Sequence, residues 1–333
     1  MSLGADPDPS PAGAGDGNDE PKGRRSLVDR LMDARNKQRS PWLLLVALAL
    51  FVAFTYIAVR NLPPIDKPIR WSLVLLAGLV CVPFAIILNA FEYRLMAHLA
   101  EHHPPRLEIL QVTIMGSAAN LLPIPGAVMV RLANLNKGGV KVGRGLNLTA
   151  IIGITWIGAA CVLGGFAELF SHPDFGVTAL AIGIGLLAVA IAMLMRIVDK
   201  GDRLAGAIEL VAIEGAFVLT QATRLFLVAA ALRFNVSFAQ ASTLVIAAVT
   251  AAAIGFLPAG LGAREAIAAV LSPIVGFPAA VGLVITALDR VINLVILSVF
   301  GAVVTYATRR QRKHAVPAPA AAPGDAAPGL ITE

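Results

Sequence analysis

Residues 42–59 read WLLLVALALFVAFTYIAV, eighteen residues without a charged side chain. A helix of this length covers about 27 Å, close to the roughly 30 Å thickness of the hydrocarbon core of a bilayer. Several comparable apolar runs follow along the chain, so a single buried helix of a soluble protein cannot explain them. The sequence therefore predicts an all-α polytopic membrane protein.

The composition agrees with a membrane protein. The 333 residues are 57% hydrophobic and only 14% charged, whereas soluble domains carry about 25% charged residues. The mean hydropathy is +0.77. A soluble globular enzyme is thereby excluded.

Basic residues are concentrated at the two ends of the apolar region. They account for much of the net charge of +6. Membrane topology explains this charge, so we expect no nucleic-acid partner. Lys and Arg accumulate on the cytoplasmic side of membrane proteins, so both termini are predicted to lie in the cytoplasm and the protein in the cell (inner) membrane. The basic residues are Lys22, Arg24, Arg25, Arg30, Arg35, Lys37 and Arg39 before the first run, and Arg309, Arg310, Arg312 and Lys313 after the last.

The chain divides into three predicted regions. Residues 1–39 and 311–333 are rich in Pro, Gly, Ala and charged residues and lack the apolar content for a core, so they are predicted to be disordered tails. Residues 40–310 form the transmembrane domain, for which we predict about eight spans. Their approximate positions are 42–59, 71–91, 107–122, 146–169, 175–197, 205–232, 239–257 and 279–306.

Two segments do not fit as spans. Residues 121–135, LLPIPGAVMVRLANL, and 256–277, FLPAGLGAREAIAAVLSPIVGF, each start with a Pro/Gly turn and contain an Arg. Irregular backbone at membrane depth requires protein or water partners, so we predict re-entrant hairpins or discontinuous helices, with ordinary loops as the alternative. Their similarity indicates a weak internal repeat, of the kind found in transporters.

The span count sets the direction of this repeat. With eight spans the two hairpins enter from the outer side and the repeat is parallel, while one miscounted helix would invert it. The basic residues in and after the first hairpin favour the inner side instead; they are Arg131, Lys137, Lys141 and Arg144. The sequence alone leaves this conflict open.

Charged residues within the spans form two groups. Glu214, Gln221 and Arg224 share one helical face, and Asp289 and Arg290 lie close together in the last span. Charges at the bilayer centre cost at least about 2.5–3.5 kcal/mol, so they either pair and lock the bundle or line a polar cleft for a headgroup. Two other acids, Glu92 and Glu168, lie near span ends and are predicted to be interfacial.

Arg264 is the strongest candidate for binding an anion. Its planar guanidinium can hold a phosphate through two hydrogen bonds, and the Gly-rich turn before it opens a helix whose N–H groups favour an anion. Arg131 is expected to act similarly in the first half. The complete predicted substrate-binding set is Gly126, Arg131, Glu214, Arg224, Pro258, Gly260, Gly262, Arg264, Glu265, Asp289 and Arg290; no catalytic residue, metal or cofactor is predicted.

The motifs LLPIPGAVMVR and FLPAGLGAREA, with Asp289-Arg290 in the last span, resemble the lysylphosphatidylglycerol synthase transmembrane-region family. The resemblance covers about residues 40–310 and is centred on Pro258, Gly260, Gly262 and Arg264-Glu265. The first motif departs from the usual double-Gly pattern. The family includes the membrane half of the multiple peptide resistance factor, a flippase joined to a synthase, and the resemblance implies the flippase part without an aminoacyl-transferring domain.

The expected function is therefore translocation of a phospholipid or lipid-linked headgroup between leaflets, without enzymatic activity. A second hypothesis is a non-transporting membrane partner that scaffolds a lipid-modifying enzyme or glycosyltransferase. A third is an intramembrane enzyme with Glu265 or Asp289 as base. The expected partners are membrane lipids, with a separate lipid-modifying enzyme and a second copy of the chain as further candidates.

Overall fold

A computed structural model describes residues 56, 60, 68–119, 126–198, 201, 203–254 and 262–314. Within these residues the structure contains nine helices and no strand, all in one compact unit. The helices are α1 Trp71–Leu99, α2 Arg106–Ala119, α3 Gly126–Lys137, α4 Val142–Glu168, α5 Pro173–Ile197, α6 Arg203–Ala231, α7 Phe238–Ile254, α8 Ala263–Ile274 and α9 Ala279–His314. The predicted first span, except Tyr56, and most of the two predicted tails lie outside the described residues.

Five helices are long and apolar enough to cross a membrane. They are α1, α4, α5, α6 and the Ala279–Val303 part of α9, and they confirm five of the eight predicted spans. The predicted spans at 107–122 and 239–257 correspond to α2, of 14 residues, and α7, of 17 residues. At 1.5 Å per residue the described parts of these two helices are about 21 and 26 Å long, and neither is among the helices of membrane-spanning length within the described residues.

The outer faces of the bundle are apolar. Large hydrophobic side chains remain exposed along the spans, among them Trp71, Leu79, Phe166, Ile184 and Val299. Soluble proteins rarely expose contiguous apolar surface of this extent. The exposed faces therefore match the acyl chains of a bilayer.

A π-helical segment, Ala77–Cys81, interrupts α1. Pro83 follows it, and a proline removes one backbone donor and clashes with the carbonyl four residues earlier. The wider π turn accommodates this clash without breaking the helix. Gly78 lies in the segment against Ile292 and Ile296 of α9, so the distortion occurs where these two spans pack closely.

Helices α4 and α5 pack through small residues. A Cβ added at Gly165 would lie 2.5 Å from the backbone N of Leu180, and one at Gly183 would lie 2.7 Å from the backbone N of Val162. Glycines that allow close backbone approach are typical of helix pairs in membranes, where the hydrophobic effect does not drive association. These glycines explain the tight pairing of the two spans.

The two predicted hairpin segments belong to two pairs of short antiparallel helices. In the first pair, Asn134 of α3 donates from Nδ2 to Glu108 Oε1 of α2 at 2.6 Å, while Gly116 packs against Ala127. In the second, Gln240 near the start of α7 donates to the carbonyl of Val275 at the end of α8, at 2.7 Å. The turns at 120–125 and 255–261, with Pro258 and Gly260, lie outside the described residues.

The first hairpin, α2–α3, has its open end where α1 ends. The Arg144 side chain at the start of α4 donates to the carbonyl of Leu99 at 3.0 Å, and Gly138, just after α3, lies against His102. Gly206 near the start of α6 also packs against Leu99. The end of α1, the start of α4 and the start of α6 therefore share one end of the bundle with this hairpin opening.

The second hairpin, α7–α8, opens at the other end. Gly276, just after α8, lies against His172 between α4 and α5, and the N–H of Arg70 before α1 donates to the carbonyl of Ala231 at 3.0 Å. The two hairpins thus have their openings at opposite ends of the 29-residue helix α1. This differs from the arrangement expected of an eight-span count, in which both hairpins open on the same side; an inverted arrangement follows if one of the counted helices does not cross.

Candidate functional site

Helix α6 connects the two halves of the candidate site. Glu214, Gln221 and Arg224 are all buried on it, as their predicted common face requires. Glu214 and Arg224 are ten residues apart, which places them about 15 Å apart along the helix axis. Each belongs to a different cluster of charged side chains.

The cluster that contains Arg224, which we call the basic cluster, also includes Arg264, Asp289, Glu265 and Arg290. Asp289 is fully buried and accepts from two arginines: Arg224 Nη2 at 3.1 Å and Arg264 Nη2 at 2.6 Å, both on Oδ2. Arg224 also contacts Oδ1 through Nε, so it binds the carboxylate with two nitrogens. The second pair in the cluster joins Arg290 Nη1 to Glu265 Oε1 at 3.1 Å.

The start of α8 positions this cluster. Gly262 has φ +82, a left-handed conformation that costs a residue with a Cβ about 1–2 kcal/mol. Its N–H donates to Glu265 Oε2 at 3.0 Å, so the Glu265 side chain caps the helix from within. With the first turn fixed in this way, Arg264 and Glu265 both reach α9, twenty-five residues later in the chain.

The basic cluster contains three arginines and two carboxylates. Asp289 serves two of the arginines, so one positive charge is left without a matching acid within the cluster. Nε of Arg264 is buried and has no hydrogen-bond partner among the described residues. This combination of excess positive charge and an unused donor favours binding of an anion.

A second group of side chains, which we call the acidic cluster, consists of Glu92, Arg131 and Glu214. Arg131 of α3 pairs with Glu92 of α1 and lies 6.0 Å from the centroid of the Tyr93 ring. Glu92 and Arg131 are the charged neighbours of the Glu214 carboxyl on α6. Two acids face one arginine here, the reverse of the balance in the basic cluster.

Polar residues connect the acidic cluster to the first hairpin. Tyr93 donates its hydroxyl hydrogen bond to Asn134 Oδ1, and Asn134 in turn donates to Glu108. Asn89 Oδ1 lies 3.5 Å from Arg131 Nη2. The first hairpin is therefore held against α1 through side chains that also reach the ion pair.

The structure brings the predicted site residues together in these two clusters. Gly126 is buried at the start of α3, in the same helix as Arg131, and Pro258 and Gly260 lie outside the described residues. Glu92, expected at the interface, is instead buried and paired with Arg131. Four further contributors were not predicted from the sequence: Asn89, Tyr93, Glu108 and Asn134.

A sequence signal for the missed residues exists. Asn89, Glu92 and Tyr93 follow the i, i+3, i+4 spacing that places side chains on one helical face. Arg131 and Asn134 are three residues apart in the same way. No signal of this kind pairs α1 with α3, since that contact depends on how the chain folds back.

In the part of the chain that the structure describes, no three His, Cys, Asp or Glu side chains are grouped closely enough to hold a metal ion.

A family model matches part of the chain. Residues 202–301, from the start of α6 into α9, match the family model described as the lysylphosphatidylglycerol synthase TM region. The match includes the whole basic cluster and Glu214, and it confirms the resemblance over this stretch. No curated protein matches the chain.

Proposed function

Starting from the match of residues 202–301 to the lysylphosphatidylglycerol synthase TM region, we propose that this membrane protein is a flippase-like translocator. It moves a phospholipid or a lipid-linked headgroup between the two leaflets. The observation that carries the proposal is the basic cluster, where Arg224 and Arg264 share Asp289 inside a bundle of membrane-length helices. Excess positive charge at this depth needs an anionic partner.

The headgroup phosphate binds at Arg264 in this proposal. Arg264 contacts Asp289 through a single nitrogen, so the rest of its guanidinium fork can engage phosphate oxygens. The N–H groups at the start of α8 are proposed to favour the same anion. Arg131, paired with Glu92, is the corresponding residue of the first half.

The two hairpins are proposed to be re-entrant. Their legs of 12 to 17 residues reach about 18–26 Å, too little for a full crossing. Because the hairpins open at opposite ends of α1, each half-site is reached from a different leaflet. An inverted repeat of this kind suits alternating access.

This arrangement also removes the charge conflict found in the sequence. If residues 42–59 cross the membrane, the chain makes six crossings in all and both termini lie in the cytoplasm of the cell. The first hairpin then opens to the cytoplasmic side, where Lys137, Lys141 and Arg144 satisfy the positive-inside tendency. We propose this orientation for the protein in the inner membrane.

We propose that the chain itself catalyses no lipid modification. The matched family model describes a transmembrane region, so the synthase reaction of the family is not carried over. Its partners are membrane lipids, with a separate lipid-modifying enzyme or a second copy of the chain as candidates for association.

Reconstitution into vesicles tests the proposal. A fluorescent phosphatidylglycerol in the outer leaflet is quenched by membrane-impermeant dithionite, so the quenched fraction reports movement between leaflets. Wild-type protein is expected to accelerate this movement. Arg264→Lys keeps the charge but loses the planar fork, so it slows movement, and Arg264→Ala slows it further.

Arg196→Ala serves as the matched control, because Arg196 is an exposed basic residue on α5. The control should retain the wild-type rate. Equal rates for wild type and Arg264→Ala would show that Arg264 serves only as a structural partner of Asp289. Absence of any lipid movement by folded wild-type protein would overturn translocation itself.

One observation favours a second function, a non-transporting membrane partner for an enzyme. Each arginine of the two clusters pairs with an acid, as a rigid scaffold would require, and so does the arginine at the start of α4. These arginines are Arg131, Arg224, Arg264, Arg290 and Arg144. The two functions differ in the vesicle assay, since a scaffold moves no lipid. A scaffold should instead co-purify with a lipid-modifying enzyme whose activity falls when the protein is removed.

A further inference from the structure

Glu214 is a buried carboxyl in a membrane-spanning helix. It lies eleven residues after the start of α6, or about 17 Å along a helix of about 43 Å. Its residue surface is 1% exposed, and Oε1 has no hydrogen-bond partner among the described residues. Burial of an ionised carboxylate carries a large desolvation cost unless a cation or a proton neutralises it.

The charged surroundings of Glu214 do not provide that cation. Arg131 is the basic residue next to the Glu214 carboxyl, and it already pairs with Glu92. Tyr93 and Glu108 continue the network toward the hairpin and bring no positive charge. With Glu92 and Glu214 both ionised, the acidic cluster carries one net negative charge.

The other helices packed on α6 place their charged groups elsewhere. Arg144 of α4 pairs with Glu101, Glu168 pairs with His172, and Asp289 and Arg290 of α9 belong to the basic cluster. The remaining charged residues on α1, α5 and α6 that the structure describes are exposed, namely Arg94, Asp174, Arg196 and Glu209, except Arg203. Arg203 is half-buried eleven residues before Glu214, about 17 Å away along the helix, and donates to the carbonyl of Val198 at 2.7 Å. None of these groups is available to neutralise Glu214 from within the bundle.

We infer that Glu214 binds a proton, and that this proton must be present before an anionic headgroup can occupy the acidic cluster. The inference rests on the proposed function and names its coupling ion. One proton from the medium converts the Glu214 carboxylate to the acid, which brings the cluster to neutrality. A phosphate can then engage Arg131 without facing a net negative charge.

Release reverses the order of events. When the headgroup leaves, the acid returns its proton to the medium on the other side, and the cluster regains its negative charge. Lipid and proton therefore move together and in the same direction. The free energy of a pH gradient is thereby converted into a lipid asymmetry, with one anionic headgroup carried for each proton.

The leaflet distribution at steady state is the direct test. Vesicles containing wild-type protein and a fluorescent phosphatidylglycerol are held at equal pH on both sides or with a gradient of one unit. One-to-one coupling predicts about a tenfold leaflet asymmetry for one pH unit, since both correspond to the same free energy. Without a gradient, the lipid distributes as it does in protein-free vesicles after full exchange.

Glu214→Gln has the shape of the protonated acid but cannot release a proton. In vesicles with this variant, the lipid should be distributed between the leaflets in the same way with and without the gradient, whatever the rate of lipid movement. Glu209→Gln is the matched control, because Glu209 is an exposed acid on the same helix, and it should retain the asymmetry. An equal response to the gradient in Glu214→Gln and Glu209→Gln would overturn the inference.

The two proposals fail in distinguishable ways. If wild-type protein moves lipid but produces no asymmetry under the gradient, proton coupling is wrong and translocation stands. If it moves no lipid, infrared spectroscopy still tests the proton site through the carbonyl stretch of a protonated carboxyl. That band should vary with pH in wild type and Glu209→Gln and be absent from Glu214→Gln; its presence in Glu214→Gln would exclude Glu214 as the proton site.

Discussion

At the scale of single residues, the two carboxylates of the basic cluster, Asp289 and Glu265, have different roles. Asp289 is shared by Arg224 and Arg264, which come from different helices. Glu265 pairs with Arg290 and also caps its own helix at Gly262. Substitution of one partner should therefore reveal whether a pair is needed for folding or for transport.

The Arg290–Glu265 pair allows this separation. Arg290→Met leaves the Glu265 carboxylate buried without its cation, which should lower the free energy of unfolding by about 3–5 kcal/mol. Arg290→Met combined with Glu265→Gln removes both charges and keeps a side chain able to accept from Gly262, so most of the loss should be recovered. Unfolding of the purified protein in detergent micelles measures both.

A contradictory outcome is equally clear for this pair. If the double variant is less stable than Arg290→Met, the charges do not stabilise each other in the way the contact indicates. If the double variant recovers the stability but moves no lipid, the pair acts in transport as well as in folding.

Some of these contacts were predictable from the sequence and others were not. The common face of Glu214, Gln221 and Arg224 follows from helical spacing alone, and burial of Asp289 and Arg290 follows from the cost of charge in the bilayer. The pairing of Arg131 with Glu92 was missed, because it depends on α3 folding back along α1. Spacing within a helix carries no information on that contact.

At the scale of helices, the glycines of α4 and α5 provide a matched comparison. Gly183→Leu places a side chain where a Cβ would already lie 2.7 Å from the backbone of Val162. Overpacking of this kind costs about 1–3 kcal/mol, and more when backbone must move. Thermal unfolding in micelles should show Gly183→Leu clearly less stable than wild type.

Gly185→Leu is the control on the same helix. Nothing described lies within 4 Å of a Cβ at Gly185, and leucine has a higher helix propensity than glycine. Its stability should equal or exceed that of wild type. If both leucine variants lose the same stability, the close contact of α4 with α5 does not determine it.

Helix length explains which elements were predicted correctly. The five long spans were found because an apolar run of about twenty residues or more is characteristic of a membrane-spanning helix. The run that contains α2 is also apolar, and hydropathy does not distinguish a hairpin leg from a crossing. The pairing of α2 with α3 rests on the packing of Gly116 on Ala127 and on the bond from Asn134 to Glu108, which only the folded chain shows.

At the scale of the whole molecule, the two openings should face opposite sides of the membrane. Lys137 at the end of α3 and Asn235 between α6 and α7 are both exposed, and each lies at the opening of one hairpin. Single variants Lys137→Cys and Asn235→Cys should react with a membrane-impermeant maleimide from different sides. The native thiols of Cys81 and Cys161 are buried, so wild type serves as the background.

Labelling of oriented membranes checks this prediction. Reagent added outside intact cells should modify Asn235→Cys and reach Lys137→Cys only after the membrane is opened. Modification of both from outside would restore the parallel arrangement expected from an eight-span count. Modification of Lys137→Cys alone would reverse the proposed orientation of the protein.

The number of long helices between the two hairpins has a consequence of its own. Three of them, α4, α5 and α6, separate α3 from α7, and an odd number of crossings always delivers the chain to the opposite compartment. A chain inserted upside down would still open one hairpin to each side. What would change is the chemistry offered to each compartment, since the acidic and basic clusters would exchange places. The orientation of this protein therefore determines which of the two clusters is reached from the cytoplasm.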